Sequence, residues 1–345
     1  MEFANKLIAW YQANARELPW RMTKDPYKIW VSEIILQQTR VVQGMDYYLR
    51  FIERFPDVVA LADASEDEVL KLWQGLGYYS RARNMREAAK RVAEKFGGVF
   101  PTEYSDVRAL KGVGDYTAAA ICSFAYDLPY PAVDGNAYRV LSRVFRVDEL
   151  IDSPQGKRAF TELSQEVMDR KRPALYNQAM MDLGATICLP TAPNCEACPL
   201  REMCALSGSA EAVEYPKKGK KLVSRDRYFV YLAVEDGEYT YLRRREGKDI
   251  WKGLYEYPMV ELPRPLTEMG DEDWLAPLAA DFTDLRLIGQ PVMKKHILTH
   301  QNIHAAFFRA EGHFLHRGGS DFIELKRAQM GEFAVSRLME KYLSE

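Results

Sequence analysis

The sequence predicts a multidomain protein in which an all-α domain with a cysteine-rich loop precedes a smaller α+β domain. Three observations support this fold class. Helical periodicity runs through most of residues 1–187, four of the five cysteines fall within residues 188–204, and alternating apolar and aromatic runs begin after residue 226. A chain of 345 residues is long enough for two domains, each with its own core.

Composition excludes some classes of protein. The chain is 47% hydrophobic and 28% charged, and its formal net charge is −2, so any nucleic-acid-binding surface must be local. No apolar run is long enough to span a bilayer. The first residues, "MEFANKLIAWYQANARELPW", lack the basic, apolar and small-residue regions of a signal peptide. We therefore expect a cytosolic protein that does not contact a membrane.

The helices of the first domain are predicted from the spacing of apolar residues. The first segment is amphipathic, whereas "YKIWVSEIILQQT" is apolar almost all round and predicts a buried helix. Further helices are predicted in "SEDEVLKLWQGL", "ARNMREAAKRVAEKF" and "SPQGKRAFTELSQEVMD".

The composition changes after Cys204. Residues 207–226 are polar, lack periodicity and contain "KKGKK", which predicts a linker along the surface with a solvated charge run. Two alternating runs around "EDGE" predict a β-hairpin. Further strands are predicted in "LYEYPMVEL", "LRLIGQPVMKKHILTH" and "IHAAFFRAEG", and a closing helix in "KRAQMGEFAVSRLMEKYL". The second predicted domain is therefore α+β and covers residues 227–345.

Four cysteines with the spacing C-x6-C-x2-C-x5-C form the most distinctive motif. In a reducing cytosol, clustered cysteines bind a metal more often than they form two disulfides. Zinc sites usually pair two C-x2-C units or include histidine, and this loop has one such unit and no histidine. Four thiolates at uneven spacing suit a [4Fe–4S] cluster. The four residues are Cys188, Cys195, Cys198 and Cys204, while Cys122 is expected in the core.

The segment "LKGVGDYTAAAICSFAY", residues 110–126, has the pattern of a helix-hairpin-helix. Gly112 and Gly114 form a short turn before an alanine-rich helix. Glycines let the backbone approach a phosphate, and the N–H groups that open the helix bind it without reading sequence. A plain helix-turn-helix connection gives the same local pattern, so the hairpin gains its specificity from the cysteine loop about 75 residues further on.

Two carboxylates are candidates for acid–base chemistry. Glu33 lies in the apolar segment "WVSEIILQQT", where burial raises the pKa of a carboxyl group as a general acid near neutral pH requires. Asp134 precedes Gly135 in "YPAVDGNAYRV" and also suits a helix N-cap. A structural role, the capping of a neighbouring helix, is the alternative for Glu33. All five histidines fall within residues 296–316, so the helical domain must use carboxylates, tyrosine or lysine.

Together, the hairpin, the loop that ends in Asp134 and the cysteine spacing resemble the endonuclease III superfamily of DNA glycosylases over residues 1–205. Within it, the chain resembles the MutY-type adenine DNA glycosylases. This resemblance implies a helical catalytic domain at 1–206 and a [4Fe–4S] cluster. It also implies a monomeric base-excision repair enzyme that flips out and excises adenine opposite 8-oxoguanine or guanine in double-stranded DNA and leaves an abasic site.

The resemblance also assigns roles to individual residues. The superfamily branch with lyase activity carries a lysine where this chain has Tyr116, which implies a monofunctional glycosylase. Glu33 would protonate adenine, Asp134 would stabilise the sugar cation, and Tyr116 and Asn136 would hold Asp134 and the sugar. The implied DNA-binding residues are Gln38, Thr39, Leu76, Tyr78, Gly112 and Gly114, and the implied adenine pocket contains Arg16, Trp20 and Arg21.

The second predicted domain resembles the MutT-like (Nudix-fold) domain with which this family inspects 8-oxoguanine. "WKGLYEYP" matches its core, and no acidic Nudix box is present, which implies recognition without hydrolysis. Where the family often has Phe-Ser-His, this chain has Leu-Thr-His, so Thr299 and His300 are the implied 8-oxoguanine contacts. A metal site from His296, His300 and His304 is an alternative reading of the same stretch.

Two other functions are compatible with parts of the pattern. A glycosylase with lyase activity is disfavoured because Tyr116 replaces the lysine that such an enzyme needs. A non-catalytic iron–sulfur DNA-binding protein is disfavoured because Glu33 and Asp134 are both present.

Overall fold

The computed structural model describes residues 2–219, 223–315 and 321–344. The chain divides into two compact units. The helical unit comprises Met1–Asp63 and Glu87–Lys220, and the sheet unit comprises Ala64–Arg86 and Lys221–Glu345. The predicted α+β domain begins at 227, whereas the sheet unit also takes in residues 64–86. No helix within the described ranges is long and apolar enough to cross a membrane.

The helical unit is built mainly from α-helices. They are α1 (Glu2–Asn14), α2 (Pro26–Ile35), α3 (Val41–Arg54), α4 (Val58–Asp63), the second part of α6 (Ser80–Phe96), α7 (Tyr104–Arg108), α8 (Asp115–Tyr126), α9 (Gly135–Phe145), α10 (Pro154–Val167) and α11 (Pro173–Thr186). α5 (Glu66–Trp73) belongs to the sheet unit.

Two features of the helical unit position the site. The buried helix α2 starts where the Asp25 side chain accepts a hydrogen bond from the N–H of Tyr27 and Pro26 occupies the first turn. α1, α9 and α11 share one core, in which Leu7, Leu141 and Leu183 have no exposed surface. Burial of such side chains stabilises each by about 1.5–3 kcal/mol. The core therefore fixes α9 and α11 next to each other.

The described part of the sheet unit contains one seven-stranded mixed sheet. The strands follow the order β3-β2-β1-β6-β5, with β4 paired to β1 and β7 paired to β2, and β1 and β6 are parallel. Their bounds are β1 (Arg225–Asp236), β2 (Tyr239–Arg244), β3 (Tyr255–Glu256), β4 (Met259–Leu262), β5 (Phe282–Ile297), β6 (Gln301–Phe314) and β7 (Phe322–Lys326).

Helices cover both faces of this sheet. Along β1, Phe229 and Tyr231 pack in one core with Leu338 of α13 (Arg337–Leu343). Val230 packs in the other core with Trp274 of α12 (Asp271–Ala279). Alternate residues of a strand point to opposite faces, so β1 contributes to both cores.

Three segments differ from the sequence prediction. Helix α12 was not predicted, and the closing helix is shorter than predicted because residues Arg327–Glu332 form a 3-10 segment. In the predicted linker, Ala210–Glu214 form a 3-10 turn and Tyr215 is buried, with its carbonyl accepting from Nε of Arg143 at 3.3 Å. Residues 220–222 of the linker lie outside the described residues.

Candidate active site

The predicted helix-hairpin-helix forms from α7, a tight turn and α8. Gly112 has a φ of 78°, a left-handed conformation that glycine adopts without steric cost. Gly114 is the N-cap of α8, and a Cβ added there would meet no atom within 4 Å. The backbone therefore stays open on that side at the N-terminus of α8, which suits an approaching phosphate.

A cavity of about 310 Å³ lies next to this hairpin. Its walls come from the 3-10 segment Pro19–Arg21, α2 and the residues after it, α8, the start of α9, and α11. The structure thus brings together all of the predicted catalytic and pocket residues and two of the predicted DNA-binding residues. The first group is Arg16, Trp20, Arg21, Glu33, Tyr116, Asp134 and Asn136, and the second is Gln38 and Thr39.

Glu33 is the buried acid of this cavity. Its residue exposure is 7%, and Oε2 accepts a hydrogen bond from the Tyr116 hydroxyl at 2.5 Å. Burial raises the pKa of Glu33 to about 7, against the effect of the Tyr116 hydrogen bond; the charge of Asp134 raises the pKa further and that of Arg21 lowers it. A carboxyl group with this pKa is partly protonated at neutral pH and can donate a proton.

Asp134 is the N-cap of α9, so the structural alternative noted from the sequence is also realised. Its Oδ1 accepts from the N–H of Ala137 at 2.7 Å, and its Oδ2 accepts from Nδ2 of Asn136 at 2.7 Å. Burial raises the pKa of Asp134, against these hydrogen bonds, which favour the anion. The helix N-terminus also favours a negative charge at this position. Asn136 lies where it was expected, on the carboxylate of Asp134.

Tyr116 differs from its expected contact. The resemblance implied that Tyr116 holds Asp134, whereas the described hydroxyl donates to Glu33. Both residues face the same cavity, and the first turn of α8 points Tyr116 towards α2. The tyrosine therefore orients the acid in this structure.

Two polar residues of α11 were not predicted from the sequence: Gln178, which lines the cavity, and Asp182, which binds two arginines that line it. Asp182 on α11 is fully buried and binds Arg16 and Arg21, and Gln178 accepts from the Tyr11 hydroxyl at 2.7 Å. The signal was available: Asp182 is the single acidic residue in the apolar segment "YNQAMMDLGA", the same anomaly that marked Glu33.

Arg139 connects the catalytic end of α9 to the cysteine loop. One Nη2 donates to Oδ1 of Asn136 and to the carbonyl of Gly184, both at 2.7 Å, and Nε donates to the carbonyl of Cys188 at 2.7 Å. One helical turn further along α9, Nη1 of Arg143 lies 3.4 Å from Sγ of Cys188. The first cysteine of the loop is thus held by the helix that begins at Asp134.

The four cysteines of the predicted cluster line one apolar cleft of the helical unit, together with Pro193 and Leu200. None is bonded to another, and burial raises the pKa of the Cys198 thiol to about 11. Buried thiols of this kind lose their protons when they bind a metal. Four soft donors, with the guanidinium of Arg143 beside Cys188, fit a negatively charged iron–sulfur cluster.

Within residues 2–219, 223–315 and 321–344, no three His, Cys, Asp or Glu side chains are arranged so that they could hold a single metal ion. The histidine alternative is wrong: His296 is paired with Ile303 and His304 with Lys295, so His296 and His304 lie on opposite faces of the β5–β6 ladder.

Two of the predicted DNA-binding residues have left-handed backbones. Gln38, which is exposed after α2, has a φ of 57°, and Tyr78, which is half-exposed, has a φ of 47°. A non-glycine residue in this region costs about 1–3 kcal/mol and is common at functional sites. Both side chains therefore extend from turns whose shape the surrounding structure maintains.

A second cavity, of about 400 Å³, lies within the sheet unit. Leu76 and Tyr78 line one side, and Thr299 and His300 of the β5–β6 turn line the other. The hydroxyl groups of Tyr78 and Thr299 form a hydrogen bond, and the His300 carbonyl accepts from the N–H of Arg225 at 3.1 Å. Leu76 is buried in this arrangement, while Tyr78, Thr299 and His300 remain accessible.

Comparison with known families matches both units. Residues 31–166 match the HhH-GPD superfamily base excision DNA repair proteins, and residues 229–345 match the NUDIX domain. Among solved structures, a thermostable thymine-DNA glycosylase is 28% identical with a TM-score of 0.55, covering 59% of this chain and 94% of that one. An endonuclease III–DNA complex is 19% identical with a TM-score of 0.51, covering 59% and 92%, and supports the fold.

Similar proteins over more of the chain have one activity in common. An adenine DNA glycosylase of Buchnera aphidicola (subsp. Baizongia pistaciae) is 37% identical over 259 residues, which cover 74% of this chain and 73% of that protein. The adenine DNA glycosylase of Rattus norvegicus is 34% identical, covering 86% of this chain and 68% of the relative. The human adenine DNA glycosylase is 33% identical, covering 84% and 64%.

Proposed function

The chain belongs to the MutY-type adenine DNA glycosylases, which hydrolyse N-glycosidic bonds in base-excision repair, and from this premise we propose that it removes adenine opposite 8-oxoguanine or guanine by a monofunctional mechanism. The observation that carries the proposal is the pairing, in one cavity, of a buried acid, Glu33, with a hydrogen-bonded carboxylate, Asp134.

Adenine must leave the helical stack before a side chain can reach its glycosidic bond. The exposed Gln38 and the half-buried Thr39 at the cavity rim are placed to enter the gap, and the cavity between Trp20 and Tyr116 receives the base. The open N-terminus of α8 behind Gly114 holds a DNA phosphate and keeps the strand next to the cavity.

Glu33 then donates its proton to N7 of adenine, so that the base leaves as a neutral molecule. The sugar develops an oxocarbenium character, which the ionised Asp134 stabilises. Water adds to the sugar, its surplus proton returns to the carboxylate of Glu33, and an abasic site remains. Burial raises the pKa of both carboxyl groups, but the hydrogen bonds to Asp134 and the N-terminus of α9 favour its anion, so Glu33 acts as the acid and Asp134 as the anion.

The residues at the cavity support a monofunctional mechanism. A lyase needs an amine that attacks the sugar and forms a Schiff base. No lysine is found among the described residues that line the cavity, and Tyr116 occupies the position from which the family's lyase branch presents one.

The cavity of the sheet unit is proposed to inspect the base opposite adenine. Thr299 and Tyr78 offer hydroxyl groups that can donate or accept, and His300 adds a ring with both capacities. 8-Oxoguanine carries an N7–H donor and an O8 acceptor. Guanine has only the N7 acceptor at these positions. Paired hydroxyl groups facing these positions would distinguish the two bases.

A [4Fe–4S] cluster is proposed at Cys188, Cys195, Cys198 and Cys204. When bound, it supplies a rigid crosslink for the loop, and base removal itself transfers no electron. Thiolate ligands suit a reducing compartment, which agrees with the expected cytosolic location. The proposed enzyme acts as a monomer on duplex DNA.

The test uses duplexes with adenine opposite 8-oxoguanine, guanine or thymine, incubated with the purified protein. We expect strand cleavage for the first two duplexes only after alkali, because an abasic site breaks under alkali. Glu33→Gln should bind DNA but release adenine at least about 10²–10⁴-fold more slowly. Glu94→Gln, an exposed change on α6, is the matched control. Cleavage without alkali, or normal excision by Glu33→Gln, would contradict the proposal.

A further inference from the structure

Asp182 is a buried carboxylate that takes no part in the proposed reaction steps. It lies on α11, and its side chain is 1% exposed. Gln178, one helical turn earlier on the same helix, lines the cavity. Burial of an unpaired carboxylate is costly, so its partners indicate what it is for.

Its partners are two arginines of the cavity wall. Nη1 and Nη2 of Arg21 donate to Oδ2 and Oδ1 at 2.7 Å each, in a two-point contact that fixes the plane of the guanidinium. Nε of Arg16 donates to Oδ1 at 2.8 Å, and its N–H donates to Oδ2 at 3.3 Å. One carboxylate therefore holds two cations that both line the cavity.

Both cations line the same cavity as the acid, and Arg21 acts on it directly. The groups that act on Glu33 are Tyr116 from α8, Asp134 at the start of α9 and Arg21 from the segment Pro19–Arg21. Arg21 is the cation of this set, and its guanidinium is paired with the carboxylate of Asp182. Without Asp182, two guanidinium charges would face a cavity whose acid must stay protonated.

We propose that Asp182 is a positioning residue for adenine excision: it orients Arg21 and Arg16 in the wall of the base cavity and offsets part of their positive charge there, so that Glu33 keeps its proton. This inference rests on the proposed role of Glu33 as the acid. Arg16 and Arg21 form part of the wall that contacts the base, and Asp182 offsets part of their charge.

The experiment measures single-turnover adenine release from an A:G duplex, with enzyme in excess, between about pH 5 and pH 9. Release requires protonated Glu33, so in the wild type it falls as pH rises through the pKa of about 7. Asp182→Asn leaves two unbalanced cations, which lower the pKa of Glu33. We expect the midpoint of the fall to move down by about one pH unit.

Arg16→Met gives the opposite sign, because Asp182 then balances Arg21 alone and the cavity loses one positive charge. The midpoint should move up, and this variant tests the proposal even if Asp182→Asn does not fold. Asp169→Asn is the matched control, since Asp169 pairs with Arg172 on the same unit but outside the cavity.

A merely structural role for Asp182 would lower the rate equally at every pH and leave both midpoints in place, and that result would overturn the proposal. So would shifts of the same sign in the two variants. A wild type that releases adenine without any fall in rate above neutral pH would instead refute the role of Glu33.

Discussion

Gly184 of α11 packs directly against Asn136 of α9: a Cβ added at position 184 would stand 2.5 Å from Cβ and 3.0 Å from Cα of Asn136. Contacts this short do not occur between real side chains, so the two helices approach closely only because residue 184 is glycine. The same glycine accepts a hydrogen bond through its carbonyl from Arg139, which also binds Asn136. The position of Asn136, and through it of Asp134, depends on this contact.

Gly184→Ala should therefore impair excision more than DNA binding. The methyl group meets backbone as well as side-chain atoms of Asn136, so α9 must shift and Asn136 must move relative to Asp134. We expect single-turnover release to fall roughly 10–100-fold, as for other small displacements of a catalytic group. Affinity for an uncleaved duplex, measured by titration with the fluorescently labelled DNA, should change much less.

A double variant separates this cause from general destabilisation. If Gly184→Ala acts through Asn136, it should add little to the loss caused by Asn136→Ala, because residues in contact are not independent. Gly331→Ala, where an added Cβ meets no atom within 4 Å, is the control. Additive losses would mean that the glycine matters for another reason.

Cys198→Ser should remove the proposed cluster. Serine is a poor ligand for iron, and a site with three thiolates binds the cluster less tightly. The purified variant should lose the brown charge-transfer absorption and its iron, measured by visible spectroscopy and metal analysis, and unfold at a lower temperature. Cys122→Ala, in the core of α8, should keep both the colour and the iron. One zinc and no iron in the wild type would refute the cluster.

The pKa of Glu33 also predicts how stability depends on pH. The folded pKa of about 7 lies above the unfolded value of 4.5, so the folded state binds the proton more tightly. The free energy of unfolding therefore decreases as pH rises from about 4.5 to 7, by up to about 3 kcal/mol, and stays low above that range. Glu33→Gln removes this loss.

The thermal midpoint of Glu33→Gln should exceed that of the wild type at pH 8, and the margin should shrink at pH 5. Glu256→Gln is the contrasting control. Glu256 is equally buried, but it accepts hydrogen bonds from Arg243 and Arg245, so its neutralisation leaves buried cations unpaired and should destabilise the protein. An identical margin at pH 5 and pH 8 would show that ionisation of Glu33 does not limit stability.

Much of this site was predictable because its residues violate local patterns. A carboxylate in an apolar helix, two glycines before another helix and four clustered cysteines are all conspicuous in the sequence. The fold class followed from periodicity and from the resemblance, and the family and structural comparisons confirm it. Contacts between distant segments were not predictable, because neither periodicity nor spacing gives the direction of a side chain. The bond from Tyr116 to Glu33 and the pairing of Asp182 with Arg21 are of this kind.

The alternative metal site from the histidines shows how residue spacing alone can mislead. An i, i+4 spacing aligns side chains on a helix, but here β5 and β6 carry them on a hairpin, where alternate residues face opposite sides. The short turn between these strands instead presents Thr299 to Tyr78, a residue more than 200 positions earlier in the chain. That contact was not expected, although both residues were separately predicted to contact the mispair.

The last prediction concerns this hydroxyl pair and the base opposite adenine. Thr299→Val keeps the volume of the side chain but removes its hydroxyl, and Tyr78→Phe removes the partner hydroxyl. Each hydrogen bond to a base edge is worth about 1–3 kcal/mol of discrimination. We expect either variant to bind A:8-oxoguanine duplex about 5- to 100-fold more weakly, while single-turnover release from A:G stays close to that of the wild type, because Glu33 and Asp134 belong to the other unit. Thr299→Val combined with Tyr78→Phe should lose little more than either single variant, since the two hydroxyls bind each other and act together.

The double substitution Thr299→Ala with His300→Ala should extend the loss to the remainder of the turn. Thr161→Val, on α10 where the hydroxyl bonds its own helix, is the matched control. Equal losses on A:8-oxoguanine and A:G would show that the turn supports the fold or the DNA backbone, and that 8-oxoguanine is recognised elsewhere.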